Sequence, residues 1–120
     1  MPPVMWLIFL LFTKHFICDF LLQTDYQLKN KGTYGHPGGV LHASLHALGT
    51  YLCFWFIIPL FALEVALVDL ILHYHIDWIK MKVNSAFKYS PNLTRFWWLF
   101  GLDQYLHALT YIVLVLMVIE

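Results

Sequence analysis

Charge is scarce in this sequence: 12% of its 120 residues are charged and 61% are hydrophobic. Soluble globular domains carry about 25% charged residues, so an ordinary soluble domain is excluded. Seven Lys/Arg balance seven Asp/Glu, and no basic excess points to a nucleic-acid partner. Only two cysteines occur, Cys18 and Cys53. Both sit in apolar runs, where free thiols behave as small hydrophobes and define no redox compartment. The N-terminus lacks a basic leader and a small-x-small cleavage site, and Lys14, His15 and Asp19 interrupt its apolar stretch. It is expected to be a retained first span rather than a signal peptide. The glycines of Gly32-Thr-Tyr-Gly-His-Pro-Gly-Gly39 have no Walker or dinucleotide spacing, so this connection is not a phosphate loop. The glutamate-x-x-histidine pattern of di-iron bundles is also missing, which lowers the case for oxygen chemistry.

What the sequence has is long apolar runs. A membrane-crossing helix needs about 20 predominantly apolar residues, and four such stretches predict an all-α integral membrane four-helix bundle with short loops. One domain covers residues 1–120, with spans at about 3–29, 40–58, 61–83 and 96–119. Pro2 and Pro3 suit a helix start, and Pro59 forces a short turn. The first span exceeds what a bilayer requires and should tilt or protrude, with Asp25, Gln27, Lys29, Asn30 and Lys31 marking its exit to water. Lys29, Lys31, Lys80, Lys82, Lys88 and Arg95 all lie on the side of the first and third loops. The positive-inside rule therefore places those loops in the cytoplasm and both termini outside. Trp97 and Trp98 at one boundary, and Trp6 and Trp55 towards the other, fit aromatic belts.

Ionisable residues inside these spans are costly unless paired, and here they come in pairs at i, i+4. His15 and Asp19 lie in span one, His42 and His46 in span two, His73 and Asp77 in span three, Asp103 and His107 in span four. This spacing stacks each pair on one helix face. With a rise of about 1.5 Å per residue, Asp19, His46, Asp77 and His107 fall roughly 9–17 Å from the cytoplasmic helix ends. The four pairs thus converge on one layer.

Three arrangements account for such a layer. One is a metal centre, since imidazole and carboxylate suit zinc, manganese or iron and bundles present such ligands inward. Another is a metal-free hydrogen-bonded network. The third is a b-type haem between two histidines, although four aspartates exceed its ligation needs. The metal centre accounts best for the residue types, with His15, Asp19, His42, His46, His73, Asp77 and His107 as candidate ligands of one or two divalent ions, zinc foremost. Catalytic zinc typically uses three protein ligands plus water. Some of these residues must therefore act as outer partners unless two ions bind. Asp103 is a candidate general base, Lys80 and Lys82 are candidate holders of a phosphate, and Gln23 and Gln104 are candidates to orient ligands or substrate. Lys14 is expected to pair with Asp69, removing Asp69 from the centre. His75 is expected to be a peripheral hydrogen-bonder and His36 a solvated loop residue.

His15-x-x-x-Asp19-Phe20-x-x-Gln23-Thr24, the histidine pair of span two, His75-Ile76-Asp77-x-x-Lys80 and Leu102-Asp103-Gln104-x-x-His107 together resemble a family of small bacterial and phage membrane proteins, domain of unknown function 3307. The resemblance covers nearly the whole chain. It implies a bacterial inner-membrane protein in which these residues matter, and it implies no activity, substrate or cofactor. A looser similarity, in residue type rather than spacing, is to membrane-bound metal-dependent hydrolases. The expected function is a metal-dependent hydrolase acting on a lipid or amphiphilic substrate near the cytoplasmic leaflet, with membrane lipids as partners. The alternative is non-enzymatic: metal-ion or proton transport, requiring a homo-oligomer, or a structural membrane subunit.

Overall fold

The computed structural model describes residues 2–119 and is all-helical. Helix α1 covers Pro3–Phe16, α2 Asp25–Asn30, α3 Pro37–Ile57, α4 Ala62–Phe87 and α5 Thr94–Ile119. The long helices pack in a closed ring, with α1 on α3, α3 on α4, α4 on α5 and α5 back on α1. The bundle measures 43 × 28 × 24 Å. Four helical stretches are long and apolar enough to cross a membrane: Pro3–Leu21, Pro37–Ile57, Pro59–Phe87 and Thr94–Ile119. Their outer faces carry Leu60, Phe56 and Trp98 at 86%, 76% and 68% exposure. Large apolar side chains so exposed all round a bundle are the signature of a lipid-facing surface.

The first span departs from its expected extent of 3–29. Helix α1 continues into a π turn over Ile17–Leu21, in which the Leu22 amide bonds the Ile17 carbonyl at 2.9 Å. The chain then breaks, and Thr24 restarts it as the N-cap of α2, its hydroxyl accepting from the Gln27 amide. Gln27 and Lys31, placed by sequence in the exit to water, are instead 3% and 5% exposed. Helix α2 packs beneath the bundle against α3. Gly38 and Gly39 allow this: a Cβ on Gly38 would lie 2.8 Å from the Tyr26 carbonyl, and one on Gly39 2.9 Å from Lys31 Cα. The glycines of the first connection therefore serve close backbone packing. His36 is not simply solvated. It is half-buried and caps α3, its Nδ1 accepting from the Gly38 amide at 3.0 Å. Pro59 does end α3, with Ile58 driven to an extended φ of −140° before the proline.

The end of the bundle bearing the chain termini has a dry core of Leu7, Leu11, Phe54, Val65, Leu114 and Val115, joined by Cys53. Cys18 and Cys53 are buried and unpaired. Below that core lies a buried ion pair. Lys14 Nζ donates to Asp69 Oδ2 at 3.3 Å and to Tyr111 Oη at 2.9 Å, and the Thr50 hydroxyl donates to Asp69 Oδ2 at 2.5 Å. Gly49 makes room for the Lys14 stem, which any Cβ there would strike. Removing one member of a buried ion pair strands the other charge and costs about 3–5 kcal/mol. Asp69→Leu should therefore destabilise the bundle by about that much, whereas Lys14→Met/Asp69→Leu should cost well under the sum of the single changes. Reversible unfolding in mixed micelles checks this; strict additivity would show that the pair is not coupled.

Candidate metal centre

All four pairs foreseen from their i, i+4 spacing meet in one cluster. Two carboxylates organise it. Asp19, on the π turn, has its oxygens 3.1 Å from His15 Nε2, 3.1 Å from His42 Nε2 and 2.8 Å from His46 Nε2. Asp77, on α4, is 3.2 Å from His42 Nε2, 3.2 Å from His73 Nε2 and 3.0 Å from His107 Nε2. Asp103 Oδ1 stands 3.3 Å from His107 Nε2. His42, His46, His73 and His107 are essentially fully buried. Two groups of donor atoms lie close enough to hold a metal ion, Asp19/His42/His46/His73 and His73/Asp77/His107, with His73 common to both.

The ring nitrogens facing these carboxylates are not equivalent, because neighbouring amides and hydroxyls fix which of them carry protons. Gln104 Nε2 donates to Asp103 Oδ2 at 3.0 Å and to Asp19 Oδ2 at 3.4 Å. Its carbonyl oxygen is thereby turned to His15 Nε2 at 2.8 Å, so that nitrogen bears the proton. His15 Nδ1 then accepts from the Tyr111 hydroxyl at 2.7 Å. His46 Nδ1 faces the Lys14 ammonium at 3.1 Å and accepts from it, so His46 Nε2 carries a proton and donates to Asp19. For His46 the ring proton points at the Asp19 carboxylate, whereas that of His15 goes to Gln104, with Asp19 Oδ2 3.1 Å away.

His42 is the reverse case. Gln27 Nε2 donates to the Leu22 carbonyl at 3.4 Å, which turns Gln27 Oε1 to His42 Nδ1 at 3.0 Å. Nδ1 is the donor, and Nε2 presents a lone pair between two carboxylates without forming a hydrogen bond. His73 Nε2 and Asp77 Oδ2 are likewise buried without a hydrogen-bond partner. His73 Nδ1 is equally without a partner, so no neighbour fixes that ring's proton. Three orphaned polar atoms converge, with His42 Nε2 and His73 Nε2 each 3.2 Å from Asp77 Oδ2. A tetrahedral ion with bonds of about 2.0–2.1 Å holds its ligand atoms about 3.3 Å apart. The separations fit a cation, and lone pairs facing one another at this distance in a buried site are repulsive without one.

The histidine rings stack closely, with His46–His73 centroids 3.7 Å and His73–His107 centroids 4.0 Å apart. No slot remains between them for a haem macrocycle. His75 lies outside the cluster, donating from Nδ1 to the Ile71 carbonyl and accepting from Tyr34. Asp69 is also outside, on Lys14. Gln23 holds Lys31, whose Nζ donates to Gln23 Oε1 at 3.0 Å and reaches within 3.7 Å of Asp77 Oδ2. Lys80 stands at the cluster's mouth over the Phe100 ring, 5.5 Å from its centroid. Lys82 lies further along α4, and none of the cluster's hydrogen bonds or ion pairs described here involves it.

Gln27, Lys31, Thr50 and Tyr111 are participants that residue-type reasoning passed over. Gln23, Gln27 and Lys31 continue the His15–Asp19 stripe at four-residue steps, and that continuation was the available signal. ¹⁵N NMR of imidazole-labelled, metal-free protein should show His42 as the Nδ1–H tautomer and His15 and His46 as Nε2–H. Finding His42 protonated at Nε2 would contradict the arrangement.

The family model described as "Protein of unknown function (DUF3307)" matches residues 7–120, and the chain belongs to that family. No curated protein and no solved structure matches it.

Proposed function

For this member of the DUF3307 family we propose an integral-membrane metalloprotein that hydrolyses a lipid or other amphiphilic substrate. The convergence of orphaned His42 Nε2, His73 Nε2 and Asp77 Oδ2 on one point carries this proposal. These three hold the ion, and Asp19 Oδ1, 3.1 Å from His42 Nε2, is the fourth protein donor within reach. Zinc suits a compact nitrogen and oxygen donor set best; manganese and iron share the preference for imidazole and carboxylate. His46 orients Asp19 through its ring proton, and His15 acts through Gln104, whose amide donates to Asp19. Should two ions bind, Asp77 would be shared between them and His107 would serve the second, because His73 Nε2 has one lone pair and ligates one ion only.

A bound divalent ion supplies Lewis acidity towards a phosphoryl or carbonyl oxygen and lowers the pKa of water. The remaining work falls to the chain itself. Asp103 Oδ2 is held by Gln104 while Oδ1 has no hydrogen-bond partner, so Oδ1 is free to take a proton from water as general base. Lys80 and Lys31 stand beside Asp103 in a small polar mouth and offer positive charge to the substrate's polar end. The basic residues of the first and third loops put this mouth towards the cytoplasmic leaflet of a bacterial inner membrane, with both termini outside.

Transport finds less support. Among the described residues, the polar interior ends at Lys14, Asp69, Thr50 and Tyr111, and beyond them lies the dry core around Leu7, Leu11 and Phe54. No polar path crosses that core.

Metal analysis of detergent-purified protein should find one or two zinc equivalents. His42→Ala and Asp77→Ala should abolish tight binding. His46→Ala, which removes an outer partner, should weaken it about 10–100-fold. Asp103→Asn should keep the metal and lose hydrolysis in a lipid-substrate screen. Folded wild type that takes up no divalent metal would overturn the proposal.

A further inference from the structure

The polar mouth does not stand alone. It has a volume of about 60 Å³ and contains Asp19, Gln23, Lys31, Lys80, Asp103 and Gln104. An apolar groove of about 260 Å³ lies beside it between α4 and α5, walled by Ile76, Ile79, Val83, Leu99, Leu102 and Leu106. Lys80 and Asp103 line both spaces. The groove opens on the lipid-facing surface, where Ile79 and Leu102 are more than half exposed. A polar pocket and an apolar channel sharing two walls suit one molecule with two unlike ends.

Charge selects the polar end. Asp19, Asp77 and Asp103 face Lys31 and Lys80 across the centre, so the three carboxylates exceed the ammonium groups by one. A divalent ion reverses that balance and leaves one positive charge uncompensated in a buried site, a state relieved by an anion. Lys31 spends one donor on Gln23. Among the described residues, the Lys80 ammonium makes no hydrogen bond or ion pair, and its close contact is the Phe100 face. An ammonium carries three donors and no acceptor, so Lys80 retains its hydrogen-bonding capacity at the junction of mouth and groove. The mouth's small volume fits a phosphate and leaves no space for a bulky headgroup beyond it.

We propose that this composite cleft binds an amphiphile ending in a phosphate monoester, with its phosphate between Lys31 and Lys80 and its hydrocarbon chain in the α4/α5 groove. As a substrate assignment it rests on the metal-centre proposal above. In hydrolysis the water oxygen bonds to phosphorus, the ester P–O bond breaks, and the proton taken by Asp103 passes to the leaving chain alcohol. The products are a membrane-retained alcohol and inorganic phosphate.

The test uses zinc-loaded protein in phosphatidylcholine nanodiscs, with calorimetric titration of dodecyl phosphate, dodecanol and inorganic phosphate against empty-disc controls. Dodecyl phosphate should bind at least ten-fold more tightly than either half-molecule. Lys80→Met should weaken dodecyl phosphate at least ten-fold while leaving dodecanol unchanged, and Lys80→Arg should restore most of the loss. Leu102→Trp, which fills the groove, should weaken dodecyl phosphate and spare inorganic phosphate. Dodecyl phosphate binding no tighter than dodecanol, or indifferent to both Lys80→Met and Leu102→Trp, would overturn the proposal. Free phosphate binding as tightly as dodecyl phosphate would overturn the chain's role. Zinc content is measured for every sample: zinc-replete protein that fails these tests overturns the composite cleft alone. Wild type without zinc overturns the metal centre, and its own dodecyl phosphate titration still decides the cleft.

Discussion

Everything in this bundle turns on two carboxylates, Asp19 and Asp77, placed among helices whose outer faces meet lipid. A carboxylate out of water is stable only if charge or hydrogen bonds replace its hydration. Five imidazoles on four elements supply most of that replacement, and Lys31 adds a cation 3.7 Å from Asp77. On one side the His46 ring proton and the Gln104 amide satisfy Asp19. On the other side His42 Nε2 arrives without a proton and His73 Nε2 without a hydrogen-bond partner, the deficit that the proposed metal ion would answer. One cluster therefore combines a hydrogen-bonded flank with a flank of unpartnered atoms that could hold a metal ion.

The bundle divides by depth into regions with different physics. At the terminal end, leucines, valines and Phe54 pack dry and provide cohesion. In the middle, Lys14 and Asp69 neutralise each other, and their hydrogen bonds extend through Tyr111 and His46 to the edge of the centre. Lys14 therefore has two effects: it ties α1 to α4 across the bundle interior through Asp69, and its ammonium fixes the proton on His46. At the loop end the interior opens into a polar mouth with an apolar groove beside it, Lys80 and Asp103 lining both. The hydrolytic site proposed at that depth would meet the polar ends of lipids, with the dry core closing the far end of the bundle.

Two local irregularities in the backbone make the centre available. The π turn widens α1 where Asp19 must enter the cluster, a use such turns commonly serve at functional sites. The break after Leu22 frees α2 to turn under the bundle, where Gln27 orients His42 and Lys31 reaches Asp77. Gly38 and Gly39 then permit α2 to sit against α3 closely enough for both contacts. A straight first helix ending in water would leave His42 without its orienting amide.

Hydropathy determined the four long helices, and i, i+4 spacing determined which faces carry the polar pairs, because both properties are local and periodic. The convergence of His15/Asp19, His42/His46, His73/Asp77 and Asp103/His107 on one layer followed from helical rise alone, as did the pairing of Lys14 with Asp69. The roles of Gln27 and Lys31 were hidden because they depend on a break in α1, and a polar run after an apolar helix looks the same whether it enters water or folds back. His36 as a cap and the glycine pair as a packing surface were hidden for the same reason. Above all, the sequence could not distinguish proton-bearing from lone-pair-bearing histidines. That distinction depends on which amide, hydroxyl or ammonium each ring meets across the bundle, and only the tertiary structure brings those partners together.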